Sequence, residues 1–410
     1  MTERMVVIGA GEAGARAAVA LRENGFAGTI TIIGDEHHLP YERPPLSKAV
    51  LTGPDEPAPP HILDDTQLAA HGVDLLHGTA ATAIDRDAHR VALEGHDPLP
   101  YDRLLIATGA RARRLAVPDA GAKTVHYLRS FPEALALRRR LVPGHRLVVI
   151  GGGFIGLELA AAARARGATA TVIEMAPRLL GRAVPAALAS LIAARHEAEG
   201  VRLVLGATIA RIEISAEDRR VVLGNGDTVT GDTIVAGVGA LPETALAEAA
   251  GLAIDNGVAV DAHLATDDPD IFAAGDCCSF PHALYDGRRI RLEAWRNAQD
   301  QGNAVAKAML GANERYEAVP WFWSDQYDLT LQIAGLSDLA TRTVTRDLGE
   351  GARIDFHLAA DGRLVSASGL GPNGRIARDV RLAEMLIARR ARPPVMQLTD
   401  PGTKLKSLMV

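Results

Sequence analysis

Sulfur and aromatic rings are scarce in this chain of 410 residues, and basic residues are outnumbered by acidic ones. Its two cysteines are neighbours, Cys277 and Cys278. Adjacent cysteines close no long loop, so a disulfide framework is excluded, as are C-x-x-C zinc or dithiol pairs. Such low cysteine use fits a reducing cytosol. Formal net charge is −6 at pH 7. That balance argues against a dedicated nucleic-acid binder, because such proteins neutralise phosphates with a basic excess. Long apolar runs are missing too. Residues 5–8 are too few for a signal-peptide core. The longest low-charge run, residues 183–194, contains Pro185 and falls short of the roughly 20 residues of a membrane span. The expectation is a cytoplasmic chain with no membrane or nucleic-acid contact. With 48% apolar and 23% charged residues it reads as globular, and its length suggests two or three domains at about 150 residues each.

Glycine, in contrast, is abundant: 40 residues, many in tight clusters that mark close backbone approach. Two clusters repeat one pattern. Val6-Val7-Ile8-Gly9-Ala10-Gly11-Glu12-Ala13-Gly14 matches Val148-Val149-Ile150-Gly151-Gly152-Gly153-Phe154-Ile155-Gly156. Each is an apolar strand, then G-x-G-x-x-G, then an alanine-rich helical stretch ending near Gly25 or Gly167. Each continues into a β-branched run, residues 29–33 or 169–173, followed by an acid, Asp35 or Glu174. These acids lie 26 and 23 residues after the first glycine of their motifs. One G-x-G-x-x-G is weak evidence, but two complete β-α-β copies with their acids are strong. The first glycine makes the tight turn, the second lets backbone approach a pyrophosphate, and the third lets helix pack on strand. The helix N-terminus offers free N–H groups to the phosphates, and the acid accepts from a ribose. Two such sites predict two dinucleotides. Glu174 favours NADH over NADPH, because a carboxylate repels a 2′-phosphate. Arg178 and Arg182 lie close behind and leave phosphate binding open.

Further strings join these motifs: P-Y-E-R-P-P-L-S-K at 40–48, A-T-G-A at 107–110 and G-G-G-F-I-G-L-E at 151–158. Next come D-I-F-A-A-G-D at 270–276, E-A-W at 293–295 and P-W-F-W-S-D-Q at 320–326. With these the chain resembles, over essentially its whole length, the FAD-dependent pyridine nucleotide-disulfide reductase-like flavoproteins, in their NADH:ferredoxin reductase branch. The resemblance implies an α/β fold with two Rossmann-like dinucleotide-binding domains, glutathione-reductase-like, plus a small α+β C-terminal domain. The expected division is a split FAD domain at 1–112 and 246–319, an NADH domain at 113–245, and the C-terminal domain at 320–410.

The resemblance also implies site roles. Gly9, Gly11, Glu12, Ala13 and Gly14 would hold FAD, with Asp35 at its adenosine ribose and Arg43 and Lys48 along it. Ala107, Thr108 and Gly109 would form a turn that touches FAD. Gly275 and Asp276, the segment Glu293, Ala294 and Trp295, and Arg129 complete that set. Alone, Asp276 reads equally well as a helix N-cap, and Arg129 as a surface ion-pair residue. Gly151, Gly153, Phe154, Ile155, Gly156, Glu158, Glu174 and Arg182 would hold NADH. Gly237 and Gly239, in A-G-V-G, would form a counterpart of the A-T-G turn, or a plain glycine loop.

The branches of this family that reduce disulfides or peroxides need cysteine in the segment that here reads E-R-P-P-L-S-K, and none is present. Disulfide exchange needs a thiolate, so glutathione- or lipoamide-type chemistry is excluded. Cys277 and Cys278 read as small buried packing. What remains is hydride from NADH to flavin, then single electrons to an outside acceptor. Lys48 is the candidate cation near the flavin, and Glu158 its candidate partner near the nicotinamide; alternatively Glu158 is an acid favoured by the helix dipole.

Aromatic residues make up 4% of the chain, yet Trp321, Phe322, Trp323 and Tyr327 fall within seven residues. The resemblance places this segment where an iron–sulfur partner docks, with Trp321 or Trp323 between flavin and partner; strand alternation alone would make it core. Residues 371–410 carry eight basic against three acidic residues, with Arg375, Arg378 and Arg381 at helical spacing. A basic face would steer an acidic ferredoxin, although a solvated helix face has the same pattern. The implied activity is NADH:ferredoxin oxidoreduction with FAD. It would serve a ring-hydroxylating dioxygenase or haem mono-oxygenase through a two-iron ferredoxin, with the protein a monomer or weak homodimer. The alternatives are an NADH oxidase or rubredoxin reductase, and an NADH-sensing flavoprotein like apoptosis-inducing factor. No metal site is expected.

Overall fold

The computed structural model describes residues 3–118, 125–181, 184–215 and 218–409. Arg182 therefore lies outside the described residues. The chain forms two compact units, and it passes between them repeatedly. The first comprises Met1–Glu42, Pro59–Arg111 and Leu241–Phe322. The second comprises Arg43–Ala58, Ala112–Ala240 and Trp323–Val410.

The first unit is built on a five-stranded parallel sheet ordered Ile271–Ala273, Arg103–Ile106, Arg4–Ile8, Thr29–Gly34, Val73–His77. Its central strands are largely apolar runs because both faces are covered; Val7, Ile30, Ile32 and Leu104 are fully buried. The helix Glu12–Glu23 is rich in alanine, and its small side chains admit the helix Trp295–Met309 at close range. A Cβ on Gly302 would come within 2.8 Å of the Ala13 carbonyl oxygen. A three-stranded antiparallel sheet, Ala81–Asp85, Arg90–Leu93 and His96–Pro100, is inserted before the strand Arg103–Ile106.

The second unit repeats this plan. Its parallel sheet is ordered Val125–His126, Thr233–Ala236, Arg146–Ile150, Thr169–Glu174, Arg202–Leu205. An antiparallel insert, Ile209–Ile214, Arg219–Leu223 and Thr228–Gly231, again precedes the strand next to the central one. The duplication thus extends well past the glycine motifs, to strand order and insertion point. A five-stranded sheet, in the second unit from Trp323 onward, is ordered Trp321–Gln326, Leu329–Gly335, Leu364–Pro372, Arg353–Leu358, Arg342–Asp347, and its last four strands pair antiparallel.

The helix Ala377–Ala388 packs on that last sheet where glycines leave room: a Cβ on Gly369 would meet Val380 Cγ2 at 2.8 Å. Arg346, 1% exposed, ties the C-terminal tail to the sheet. It donates to the carbonyl oxygens of Leu398, Gln397, Asp400 and Thr403 and pairs with Asp379. The helix begins after Arg375, which sits in the preceding turn, so only Arg378 and Arg381 of the expected trio are helical. No described helix is long and apolar enough to cross a membrane.

Candidate functional site

Each unit carries a glycine cradle at the C-terminal edge of its parallel sheet, and the two match in hydrogen bonds, turn dihedrals and close approaches. Gly9 N–H donates to the Ile33 carbonyl, and Gly151 N–H to that of Ile173, both at 2.8 Å. Both turn glycines have φ in the left-handed region, +117° and +107°. A Cβ would strike the Ala107 carbonyl oxygen at 2.1 Å in one and the Gly237 carbonyl oxygen at 2.4 Å in the other. The third glycines, Gly14 and Gly156, admit no Cβ either, since the carbonyl oxygens of Gly9 and Gly151 would lie at 2.0 and 2.1 Å. The middle glycines differ: within 4 Å of a Cβ on Gly11 or Gly153 there is nothing. That open face lies at the N-cap of the helices Glu12–Glu23 and Phe154–Ala165. A protein-packing requirement explains the outer glycines but not the middle one, whereas a pyrophosphate approaching the helix N-terminus explains it in both copies. The residues present therefore fit a dinucleotide in each unit.

The A-T-G and A-G-V-G turns are counterparts in geometry. Ala107 N–H donates to the Ile8 carbonyl and Gly237 N–H to that of Ile150, both at 2.7 Å. Gly109 and Gly239 both have positive φ.

The two acids are not equivalent. Glu174 is the last residue of its strand, while the matching position in the first unit is Gly34, and Asp35 follows it. The reason is a packing swap. Gly34 faces Ala10, whose Cβ would lie 2.7 Å from a Cβ at Gly34. Glu174 faces Gly152, where a Cβ would lie 3.2 Å from that of Glu174. Gly34 leaves room for Ala10, and Gly152, whose Cβ would also come within 2.5 Å of Leu179 Cδ2, leaves room for Leu179 and Glu174. Glu174 is tied down, with Oε2 accepting from Gly152 N–H at 2.6 Å and Oε1 from Ala176 N–H at 2.8 Å. Asp35 is exposed, and its carboxylate has no protein partner among the described residues.

Around the first cradle, Glu12 is partly buried beside Glu42, and burial first, then that neighbouring charge, pushes its carboxyl up to about 7. Among the described residues its Oε2 has no hydrogen-bond partner. Gly275 adopts φ +84° and donates its N–H to Gln301 Oε1 at 2.7 Å, an oxygen that also receives the Cys278 thiol. No helix starts at Asp276; the next element is the strand Cys278–Pro281, which removes the N-cap reading. Ala294 instead caps the helix Trp295–Met309, and Glu293 pairs with Arg291 at 2.7 Å. Trp321 lies under the Arg296 guanidinium, 5.3 Å from ring centroid to carbon.

In the second unit, helix Phe154–Ala165 presents Glu158 to a buried polar cluster. Lys48 Nζ pairs with Glu158 Oε2 at 2.9 Å. Ser47 Oγ donates to the same oxygen at 2.5 Å, and Ser324 Oγ donates to Oε1 at 2.6 Å. Lys48 also lies 5.9 Å from the centroid of the Trp323 ring, whose Nε1–H donates to Asp325. The Arg43 guanidinium donates to the Arg129 carbonyl at 2.6 Å. Neither Ser47 nor Ser324 was singled out by sequence, although both stand inside strings that carry the resemblance. A serine has no residue-type signal of its own.

Two family models match this chain: pyridine nucleotide-disulphide oxidoreductase over residues 3–302 and reductase C-terminal over residues 321–409. The chain belongs to the pyridine nucleotide-disulphide oxidoreductase family. It is 41% identical to the ferredoxin–NAD(+) reductase component of the anthranilate 1,2-dioxygenase system of Burkholderia cepacia, over 98% of each chain. The crystal structure of the ferredoxin reductase for the CYP199A2 system of Rhodopseudomonas palustris matches with TM-score 0.94 and 36% identity over 100% of both chains. The reductase in the covalent putidaredoxin reductase–putidaredoxin complex matches with TM-score 0.93 and 35% identity over 99% of this chain and 98% of that one.

As a member of that family the chain is an FAD- and pyridine nucleotide-dependent oxidoreductase with the expected α/β architecture. Its only cysteines are remote from disulfide chemistry: both are fully buried, and burial pushes both thiols up, so neither offers a thiolate. On the C-terminal basic face, Arg375 pairs with Glu350 and Arg381 with Glu384. Arg378 is exposed and forms no ion pair among the described residues. No described group of histidine, cysteine and acid side chains could hold a metal ion.

Proposed function

We propose that this chain takes electrons from NADH and hands them singly to a two-iron ferredoxin serving a bacterial oxygenase. The carrying observation is a complete dinucleotide cradle built twice in a chain whose cysteines are sealed in the core. When bound, FAD supplies the exchange between two-electron and one-electron chemistry. The first cradle holds its pyrophosphate at Gly9, Gly11, Glu12, Ala13 and Gly14. Asp35 has no protein partner among the described residues and is thereby available to a ribose. Ala107, Thr108, Gly109, Gly275, Asp276 and the Glu293-to-Trp295 segment complete that site, with Arg43 and Arg129 a further pair along it. The second cradle holds NADH at Gly151, Gly153, Phe154, Ile155 and Gly156, flanked by Glu174 and the Gly237–Gly239 turn. Glu174 is held in place by two backbone N–H groups, so its negative charge stays where a 2′-phosphate would come.

Lys48 presents a positive charge fixed by Glu158, which stabilises negative charge arriving in the hydride-transfer step. The C-terminal segment supplies the partner face, with Trp321, Trp323 and the basic residues Arg375, Arg378 and Arg381. Two of those arginines already have acidic partners, so steering rests on the local surplus as a whole. The working division is an FAD domain at 1–112 and 246–319, an NADH domain at 113–245, and a C-terminal domain at 320–410. A cytoplasmic monomer or weak homodimer fits these parts. The test is a panel assay of the flavin-loaded protein against two-iron ferredoxins, an artificial acceptor and a disulfide substrate, with NADH and NADPH side by side. Expected are fast ferredoxin reduction with NADH, inhibition by salt of that reaction alone, and no disulfide reduction. Slow turnover with every ferredoxin overturns the reading.

A further inference from the structure

The buried cluster at Glu158 is one end of a longer hydrogen-bonded chain, all of whose members lie in the second unit. Ser324 Oγ donates to Glu158 Oε1 at 2.6 Å and accepts from Gln326 Nε2 at 3.1 Å. Gln326 Oε1 lies 2.7 Å from His196 Nε2, and His196 Nδ1 lies 3.1 Å from the Tyr327 hydroxyl. Glu158, Ser324, Gln326 and His196 are 5%, 1%, 5% and 0% exposed.

The bonds fix one another's direction. An amide oxygen only accepts, so His196 carries its proton on Nε2, and Nδ1 accepts from Tyr327. Every donor therefore points the same way, from Tyr327 through His196, Gln326 and Ser324 to the carboxylate. Such a run polarises cooperatively toward its charged end. Burial holds the His196 imidazole below its ordinary value, which keeps it in the neutral form this direction requires. Gln326 decides what the chain can do. Its amide donates at nitrogen and accepts at oxygen without exchanging a proton between them, so the chain does not conduct protons. It holds a carboxylate in one orientation.

The strand Trp321–Gln326 thereby touches the Lys48–Glu158 pair twice, with the Ser324 hydroxyl on the acid and the Trp323 ring near the ammonium. We propose that Ser324, Gln326 and His196 are positioning residues for the NADH-dependent step, setting the Glu158 carboxylate and through it the Lys48 charge. This rests on the role proposed above for that pair.

The test uses the flavin-loaded enzyme with histidine labelled by nitrogen-15. Ser324→Ala is expected to slow flavin reduction by NADH about tenfold, as loss of a hydrogen bond to a charged group implies. NADH affinity, flavin content and reduction by dithionite should stay as in the parent, and Ser324→Thr, which keeps the hydroxyl, should recover most of the rate. Ser324→Ala should also move the His196 Nε2–H resonance, a readout at the far end that needs no turnover. Parent-like flavin reduction in Ser324→Ala, or an unmoved His196 resonance, overturns the proposal. Failure of the parent protein itself to oxidise NADH would instead overturn the functional reading, with the resonance test still standing.

Discussion

The two cradles share a backbone and differ in nearly every side chain that faces outward from it. Position by position, Glu12 matches Phe154, Arg16 matches Glu158, Ala10 matches Gly152, and Gly34 matches Glu174. In the first unit the helix position three residues after the turn glycine carries a carboxyl pushed up to about 7; in the second it carries a phenyl ring. The position seven residues after the turn glycine carries Arg16, bonded to Asn303, in one unit, and the buried Glu158, paired with Lys48, in the other. The glycine framework accordingly supplies what both sites need, a close approach to phosphate. The substituted positions are where the proposed FAD and NADH sites differ.

Damage to each glycine framework in turn should have different consequences. Gly14→Ala and Gly156→Ala place a Cβ at 2.0 and 2.1 Å from a carbonyl oxygen, an almost identical insult. Overpacking of this kind costs about 1–3 kcal/mol or more. Gly14→Ala should purify largely without flavin. Gly156→Ala should retain flavin, remain reducible by dithionite, and lose NADH-dependent reduction. Flavin spectra and single-turnover mixing read both; flavin loss in both variants would erase the assignment of one dinucleotide to each unit.

The acids give a smaller contrast. Glu174 holds two backbone N–H groups, whereas Asp35 holds none among the described residues. Glu174→Ala should cost about 1–3 kcal/mol of stability and narrow the preference for NADH over NADPH. Asp35→Ala should change stability by no more than about 0.5 kcal/mol while weakening flavin retention. Denaturant melts and NADH-to-NADPH rate ratios distinguish the two.

The effect of Glu12 is confined to one pH range. Its folded carboxyl titrates at about 7 against an ordinary 4.5, so the folded state keeps a proton that the unfolded chain releases between those values. Stability of the flavin-free protein should fall as pH rises from about 4.5 to about 7 and then level off. Glu12→Gln removes that loss, and should gain about 1–2 kcal/mol on the parent at pH 8 and nothing near pH 4, allowing for partial solvent screening. Melting curves at the two pH values check it.

The same comparison shows what could be read without coordinates. The turn, close-approach and packing glycines were legible because each is enforced within a few residues of chain. Strand order and the paired antiparallel inserts were not, since residues such as Ile30 and Val73 are brought together only by the sheet. Asp35 and Glu174 looked equivalent by spacing, and only the Ala10–Gly34 and Gly152–Glu174 packing shows the one-residue offset. Lys48 and Glu158 were identifiable as a charged pair through the family strings. Ser324, Gln326 and His196 were invisible, because their significance is a direction of hydrogen bonding across segments far apart in sequence.

The most direct test of the account is an anaerobic two-step titration. NADH is added to the flavin-loaded protein until the oxidised flavin absorbance is lost, and an oxidised two-iron ferredoxin is then added in increments. The account predicts full recovery of the absorbance with two ferredoxins reduced per NADH consumed. Loss of absorbance that a disulfide or oxygen restores while ferredoxin does not would contradict it.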